Sequence, residues 1–193
     1  MQTATIDRPT TLADALRPGA LDRSLATDAL LVTAFVLLGA LTAQIAFASP
    51  SGVPITGQSF GVLFVSAALG FRRGFLAMLA YVALGAVGLP FFASVGTAVT
   101  YGYLAGFVVA GAVVGLLSER GWDRSVVRTL VMMSAGTAII FACGMAWGAF
   151  FVESAGQLFA GFLLPFLPGA AIKIALATAL LPLAWKLVGR RAG

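Results

Sequence analysis

The chain has 193 residues, 60% of them hydrophobic and 10% charged, and its mean hydropathy is +1.01. That is too apolar for one soluble core of this size. The formal charge of +5 raises nucleic acid as a partner, yet the arginines flank apolar segments as membrane topology demands, so no nucleic-acid partner is expected. There is no histidine and one cysteine, Cys143, which excludes zinc sites, disulfides and histidine acid–base catalysis together; Cys143 reads as a small packing residue.

Residues 1–28 are polar and carry Asp7, Arg8, Asp14, Arg17, Asp22, Arg23 and Asp28, with no apolar stretch ahead of them to act as a cleavable signal. They are expected to form a cytoplasmic tail with one short surface helix. Six apolar segments follow, at about 29–48, 57–71, 74–90, 99–118, 126–150 and 158–188. Strand-type alternation is absent, so the fold class is an all-α integral membrane protein, a six-transmembrane-helix bundle over residues 29–188. Arg8, Arg17 and Arg23 precede the first span, Arg72 and Arg73 follow the second, and Arg120, Arg124 and Arg128 follow the fourth. Lys186, Arg190 and Arg191 close the sixth. All of these fall on one side, which the positive-inside rule makes the cytoplasm, so the bundle is N-in and C-in with a short cytoplasmic tail at 189–193.

Two outer connections are irregular. SPSGVPITGQSF at 49–60 adjoins a second span of only about 15 residues, roughly 22 Å of helix, too short for a 30 Å hydrocarbon core. Irregular backbone at membrane depth is tolerated where it lines a cavity, so Thr56 and Gln58 are expected to face a pocket. GLPFFASVGTAVTYGY at 88–103 is too apolar for a loop in water and reads as a lid. Phe91, Phe92, Tyr101 and Tyr103 would supply aromatic walls, with Ser94 and Thr100 as polar tips; a membrane-interface belt is the competing reading for each aromatic.

Close helix packing is signalled by Gly102 with Gly106, Gly111 with Gly115 and Gly144 with Gly148. Gly39 and Ala43 repeat the pattern in the first span, where it serves either internal packing or a partner membrane protein. The sixth span is broken by Pro165 and Pro168, and beyond them Lys173 is the sole charge in PFLPGAAIKIALATALL. A cation at mid-bilayer costs roughly 2.5–3.5 kcal/mol on insertion scales. Lys173 precedes Lys186 by 13 residues, which places it about 20 Å from the cytoplasmic helix end, beneath the two irregular outer connections. A pocket-lining cation is favoured over one that snorkels to the outer surface.

Neither lysine lies in a phosphate-binding loop, since Ile172 precedes Lys173 and Trp185 precedes Lys186. Uphill transport would need ATP hydrolysed by another chain, or an ion gradient. The second option is weak, because Glu153 is the one acid outside the cytoplasmic segments. No metal or cofactor is expected.

The runs GVPITGQSFGVLF, LGFRRG, YVALGAVGLPFFA, YGYLAGF and PFLPGAAIKI, in this order across residues 30–188, resemble the BioY family, the biotin-specific substrate-binding S components of energy-coupling-factor (ECF) transporters. The resemblance implies a prokaryotic membrane location in contact with lipid, biotin capture from outside, and transport with a transmembrane T subunit and two ATPase subunits. It places Lys173 in the biotin pocket with Thr56, Gln58 and Tyr103 near it, Trp147 as wall or packing, and Gly39 and Ala43 on the surface offered to the T subunit. One departure matters: the family pattern PFLPGD carries an acid where this chain has Ala170, one turn before Lys173. A ligand carboxylate, or Glu153 folded inward, would have to replace the missing charge. The alternatives are a solitary biotin transporter and an S component with altered substrate or affinity. An intramembrane enzyme using Lys173 and Glu153 is disfavoured for want of a histidine or carboxylate pair.

Overall fold

The computed structural model describes residues 10–16, 24–47, 55–92 and 98–191. Within them lie α1 (Leu12–Leu16), α2 (Leu25–Gln44), α3 (Gln58–Leu69), α4 (Phe71–Ala86), α5 (Tyr101–Glu119), α6 (Val126–Gly148), α7 (Ala155–Phe162) and α8 (Leu167–Arg191). The break at the prolines separates α7 from α8. A 3-10 turn at Leu164–Phe166 carries Pro165, and Pro168 sits in the first turn of α8, where its missing N–H breaks no helical bond. The all-α expectation omitted one small feature, an antiparallel hairpin in which β1 (Ala46–Phe47) pairs with β2 (Ile55–Thr56).

The tail helix also differs from expectation. It is not a surface helix: Thr11, Leu12 and Ala13 are each 2% exposed, and α1 packs against α3 and α8. Its apolar side joins the core of Val62, Val65, Leu69, Met78, Val114, Met132 and Leu181. Helix α2 begins at Leu25 with Ser24 as its cap, the Ser24 hydroxyl accepting the Thr27 N–H at 3.3 Å.

The glycine pairs act inside the chain, and on different faces. Gly102 and Gly106 press α5 onto Cys143 and Ile140 of α6, while Gly111 and Gly115 press the same helix onto Ser66, Met78 and the turn at Gly70. Gly39 and Ala43 are buried as well, Ala43 completely. A Cβ on Gly61 of α3 would come within 3.4 Å of the Gly39 Cα, and one on Gly39 would meet the Tyr81 ring at 3.8 Å. Of the two readings of this pair, internal packing is the one these contacts support: the small residues let α2 approach α3 and α4.

The charged groups gather at one end. Arg73 of α4 bridges Asp14 of α1 (Nη1 to Oδ1 2.8 Å) and Asp28 of α2 (Nη2 to Oδ1 2.6 Å). Glu119, ending α5, accepts the Phe71 N–H at 2.9 Å and so caps the start of α4, where a carboxylate complements the helix dipole. Between α3 and α4 the chain turns at Gly70 with φ +83°, a conformation few other residues adopt. Asp123, in the 3-10 turn between α5 and α6, is fully buried; its Oδ2 accepts the Trp185 indole N–H at 2.6 Å and lies 3.1 Å from Ser118 Oγ. Burial pushes the Asp123 carboxyl up from its ordinary range, and the hydrogen bonds from Trp185 and Ser118 and the nearby Arg124 only partly offset this. The single Ser118 proton is shared between the Asp123 carboxylate and the Ala67 carbonyl of α3, so these groups tie α3, α5 and α8 together.

Outside, the pattern of a soluble protein is reversed. Leu30, Leu37 and Leu41 on α2 and Ile172, Leu176, Leu183 and Leu187 on α8 are each at least half exposed. Among the described residues four helical stretches are long and apolar enough to cross a membrane: Leu25–Gln44, Ala98–Glu119, Val126–Phe151 and Ala155–Gly189. The chain is a multi-pass membrane protein whose exterior suits hydrocarbon.

Gly115→Ala is expected to destabilise the bundle by about 1–3 kcal/mol, because a Cβ there would lie 2.5 Å from the Gly70 carbonyl oxygen and backbone yields poorly. Gly161→Ala, in α7 with nothing within 4 Å, should be neutral or slightly stabilising. Thermal unfolding in detergent compares the two directly.

Candidate functional site

At the end away from the charged cluster, α3, α5, α6 and α8 enclose a cavity of about 270 Å³. Its walls are mostly apolar, including Leu63, Phe107, Ile140, Phe141, Phe166 and Ile174, with Thr56, Gln58, Ser59, Thr100, Tyr103, Thr137 and Lys173 as polar points. A concave apolar chamber with a few placed polar groups is the usual form of a small-molecule site.

Each polar point has a local cause. The hairpin turns the chain so that Ile55 packs on Gly169 of α8 and Thr56 reaches the cavity rim. Gly57 and Gly61 lie against Thr42 of α2 and seat the start of α3, from which Gln58 and Ser59 project. Helix α7 is capped reciprocally, Ser154 Oγ accepting the Gln157 N–H and Gln157 Oε1 accepting the Glu153 N–H at 3.0 Å. The proline break then restarts the chain as α8, which brings Ala170 and Lys173 to the same wall, one turn apart.

Among the described residues, Lys173 is the one charged side chain in the lining, and no carboxylate lines the cavity. Its Nζ donates to Ser59 Oγ at 2.9 Å, across from α8 to α3. Ala170, 8% exposed, offers only a methyl. Glu153 does not fold inward: it is exposed at the start of α7, and among the described residues Lys173 has no ion pair.

The aromatic expectations divide. Tyr103 lines the cavity, with its ring 5.7 Å from Phe166 and its hydroxyl donating to the Phe162 carbonyl at 2.5 Å, so it presents a ring face more than a polar tip. Phe91 is placed elsewhere: it stacks on Tyr81 at 6.2 Å, and the adjacent Phe92 takes the wall, in space left by Gly85. Trp147 also lies off the cavity, packed with Phe150 and Phe151 while its indole N–H donates to the Ala98 carbonyl at 2.7 Å. Tyr101 is half exposed, and Ser94 lies outside the described residues.

Sequence reasoning missed Ser59 and Thr137, and with them Phe141 and Phe166. The neighbour of Gln58 in a short helix beside an irregular turn was a findable signal for Ser59; Thr137 lies in an unbroken apolar helix whose phase the sequence does not mark. Tyr103 depends on Gly144, since a Cβ at that position would collide with its ring. Gly144→Ala should therefore displace the Tyr103 wall and weaken ligand binding about tenfold or more, with a smaller effect on unfolding temperature than Gly115→Ala; titration of the purified variant measures it.

The BioY family profile matches residues 11–190. Among curated proteins, the chain is 36% identical over 152 residues to "Biotin transporter BioY" of Thermotoga maritima, covering 75% of this chain and 86% of that one. It is also 36% identical over 154 residues to "Probable biotin transporter BioY" of Pyrococcus horikoshii, covering 79% and 92%. Among solved structures, the crystal structure of the S-component for biotin from an ECF-type ABC transporter matches with a TM-score of 0.60 at 21% identity, over 84% of this chain and 90% of that one, which shows a shared fold. The extent of the profile match and of these two relatives establishes that the chain belongs to the BioY family.

Proposed function

We propose that this chain takes up biotin: it captures the vitamin from outside in the cavity around Lys173 and delivers it across the membrane as the S component of an ECF transporter. It is a transporter subunit and not an enzyme, with ATP hydrolysed by two partner ATPase subunits and coupling through a T subunit. In this reading α3 and α4, about 18 and 24 Å long, complete six spans with irregular outer ends, and both termini are cytoplasmic.

The observation that carries the reading is a mostly apolar cavity with, among the described residues, a single cation and no acid. Such a site fits a ligand with an apolar body and one negative charge, and biotin at neutral pH is a monocarboxylate of that kind. Its carboxylate supplies the charge that Ala170 does not, and Lys173 meets it from the position where it now holds Ser59. Thr56, Gln58 and Thr137 are the neutral polar side chains of the lining that the ligand's N–H groups would meet. Carriage of the negative charge by the ligand also answers the cost of a lone cation at this depth.

Calorimetric titration in detergent tests this. The wild-type chain is expected to bind biotin and to bind its neutral carboxamide at least about tenfold more weakly, and Lys173→Ala should abolish most of that difference along with most of the affinity. Equal binding of acid and amide would overturn the carboxylate assignment.

A further inference from the structure

Lys173 and Ser59 reach into the cavity from two walls, α8 and α3, and meet with Nζ 2.9 Å from Oγ. An ammonium cannot accept a hydrogen bond, so the proton in this contact belongs to the lysine and the Ser59 oxygen receives it. The serine keeps its own O–H as a donor. Among the described residues Ser59 makes no other hydrogen bond.

The place of Ser59 in its helix explains why that proton is not drawn back into the backbone. Elsewhere in the bundle helical hydroxyls donate to a carbonyl one turn earlier: Ser66 to Val62 at 2.7 Å, Thr129 to Ser125 at 2.8 Å and Thr42 to Gly39 at 2.8 Å. Ser59 is the second residue of α3, and the residue four before it, Ile55, lies in β2, so no helical carbonyl lies beneath its hydroxyl. The first turn of α3 is also where the helix dipole favours negative charge. Ile55 packs on Gly169, one turn before Lys173 on α8, so the two walls are held together by an apolar contact as well as by the hydrogen bond.

We propose that Ser59 is a second donor to the ligand's carboxylate: the anion takes over as acceptor of the Lys173 ammonium, the released Ser59 hydroxyl turns its O–H to the same carboxylate, and α3 and α8 thereby grip one anion with two donors. The proposal rests on the reading of this cavity as the biotin site and deepens it, since a monocarboxylate has two oxygens and can accept both bonds. With Ala170 in place of an acid, no carboxylate among the described residues of the lining competes with the ligand for either donor. The serine is thus an acceptor for the lysine in the empty site and a donor to the anion in the filled one.

The test is calorimetric titration of biotin and of its carboxamide into the wild-type chain, Ser59→Ala and Ser59→Thr. Ser59→Ala should weaken binding of the acid about tenfold and of the amide less than about threefold, because a hydrogen bond to a charged acceptor is about twice as strong as one to a neutral acceptor. Ser59→Thr keeps a hydroxyl and should stay within about threefold of wild type for both ligands. Equal losses for acid and amide would mark a packing role, and tighter binding of the acid by Ser59→Ala would mark a serine that only competes for the lysine; either result overturns the proposal. A serine that acts only by placing Lys173 is separated by adding Ser59→Ala to Lys173→Ala and measuring displacement of tritiated biotin at high ligand concentration: a further loss of about threefold or more is expected, and no further loss overturns the proposal. If the wild-type chain itself does not bind biotin, the functional reading falls first and the proposal with it, whereas wild-type binding that Ser59→Ala leaves unchanged removes the proposal alone.

Discussion

The hydrogen bond from Lys173 Nζ to Ser59 Oγ spans an apolar cavity with no carboxylate among the described residues of its lining, and the arrangement of that end of the bundle follows from it. A cation at this depth needs either a partner or a route to water. The chain supplies neither an acid at position 170 nor an inward-turned Glu153, so a neutral hydroxyl holds the ammonium. A hydroxyl is a weaker anchor than a carboxylate. An anionic ligand can therefore displace it without first breaking an ion pair, which is how an apparent defect in the sequence becomes compatible with binding.

The two ends of the bundle are built by opposite means. At one end Arg73 draws α1, α2 and α4 together through two carboxylates, Glu119 caps α4, and the buried Asp123 network joins the α5–α6 turn to α3 and α8. At the other, short and irregular pieces of chain are held by side chains on backbone carbonyls: Gln44 on Pro90, Tyr81 on Phe91, Trp147 on Ala98 and Tyr103 on Phe162. Neutral contacts of this kind contribute about 1 kcal/mol each and can be broken one at a time. A firmly tied end and a lightly tied end suit a protein that must admit a ligand at one end without loosening the whole bundle.

Much of this was legible in the sequence. Lys173 was conspicuous as a lone charge, and Thr56, Gln58 and Tyr103 lay beside backbone too irregular for lipid, which physics confines to a protein-lined cavity. What the sequence leaves open is direction. The spacing of Gly39 and Ala43 announces close approach but not which helix approaches, and the answer is α3 and α4 inside the bundle. Phe91 and Phe92 are adjacent aromatics in a segment with no period, so nothing in their order says which one meets the cavity. Trp147 shares this problem: the same helix face that could line a pocket instead holds the Ala98 carbonyl. The burial of α1 was hidden because five residues among charges carry too short a pattern to show an apolar face.

The most direct test of the account is calorimetric titration of biotin into the chain as it stands and into Ala170→Asp. The account predicts binding by the wild-type chain and no requirement for the acid in the variant, because the ligand's carboxylate supplies the charge that residue 170 does not. A wild-type chain that does not bind, with binding restored by Ala170→Asp, would contradict it: the fold would then be that of a biotin receptor whose site is completed by an acid this chain lacks.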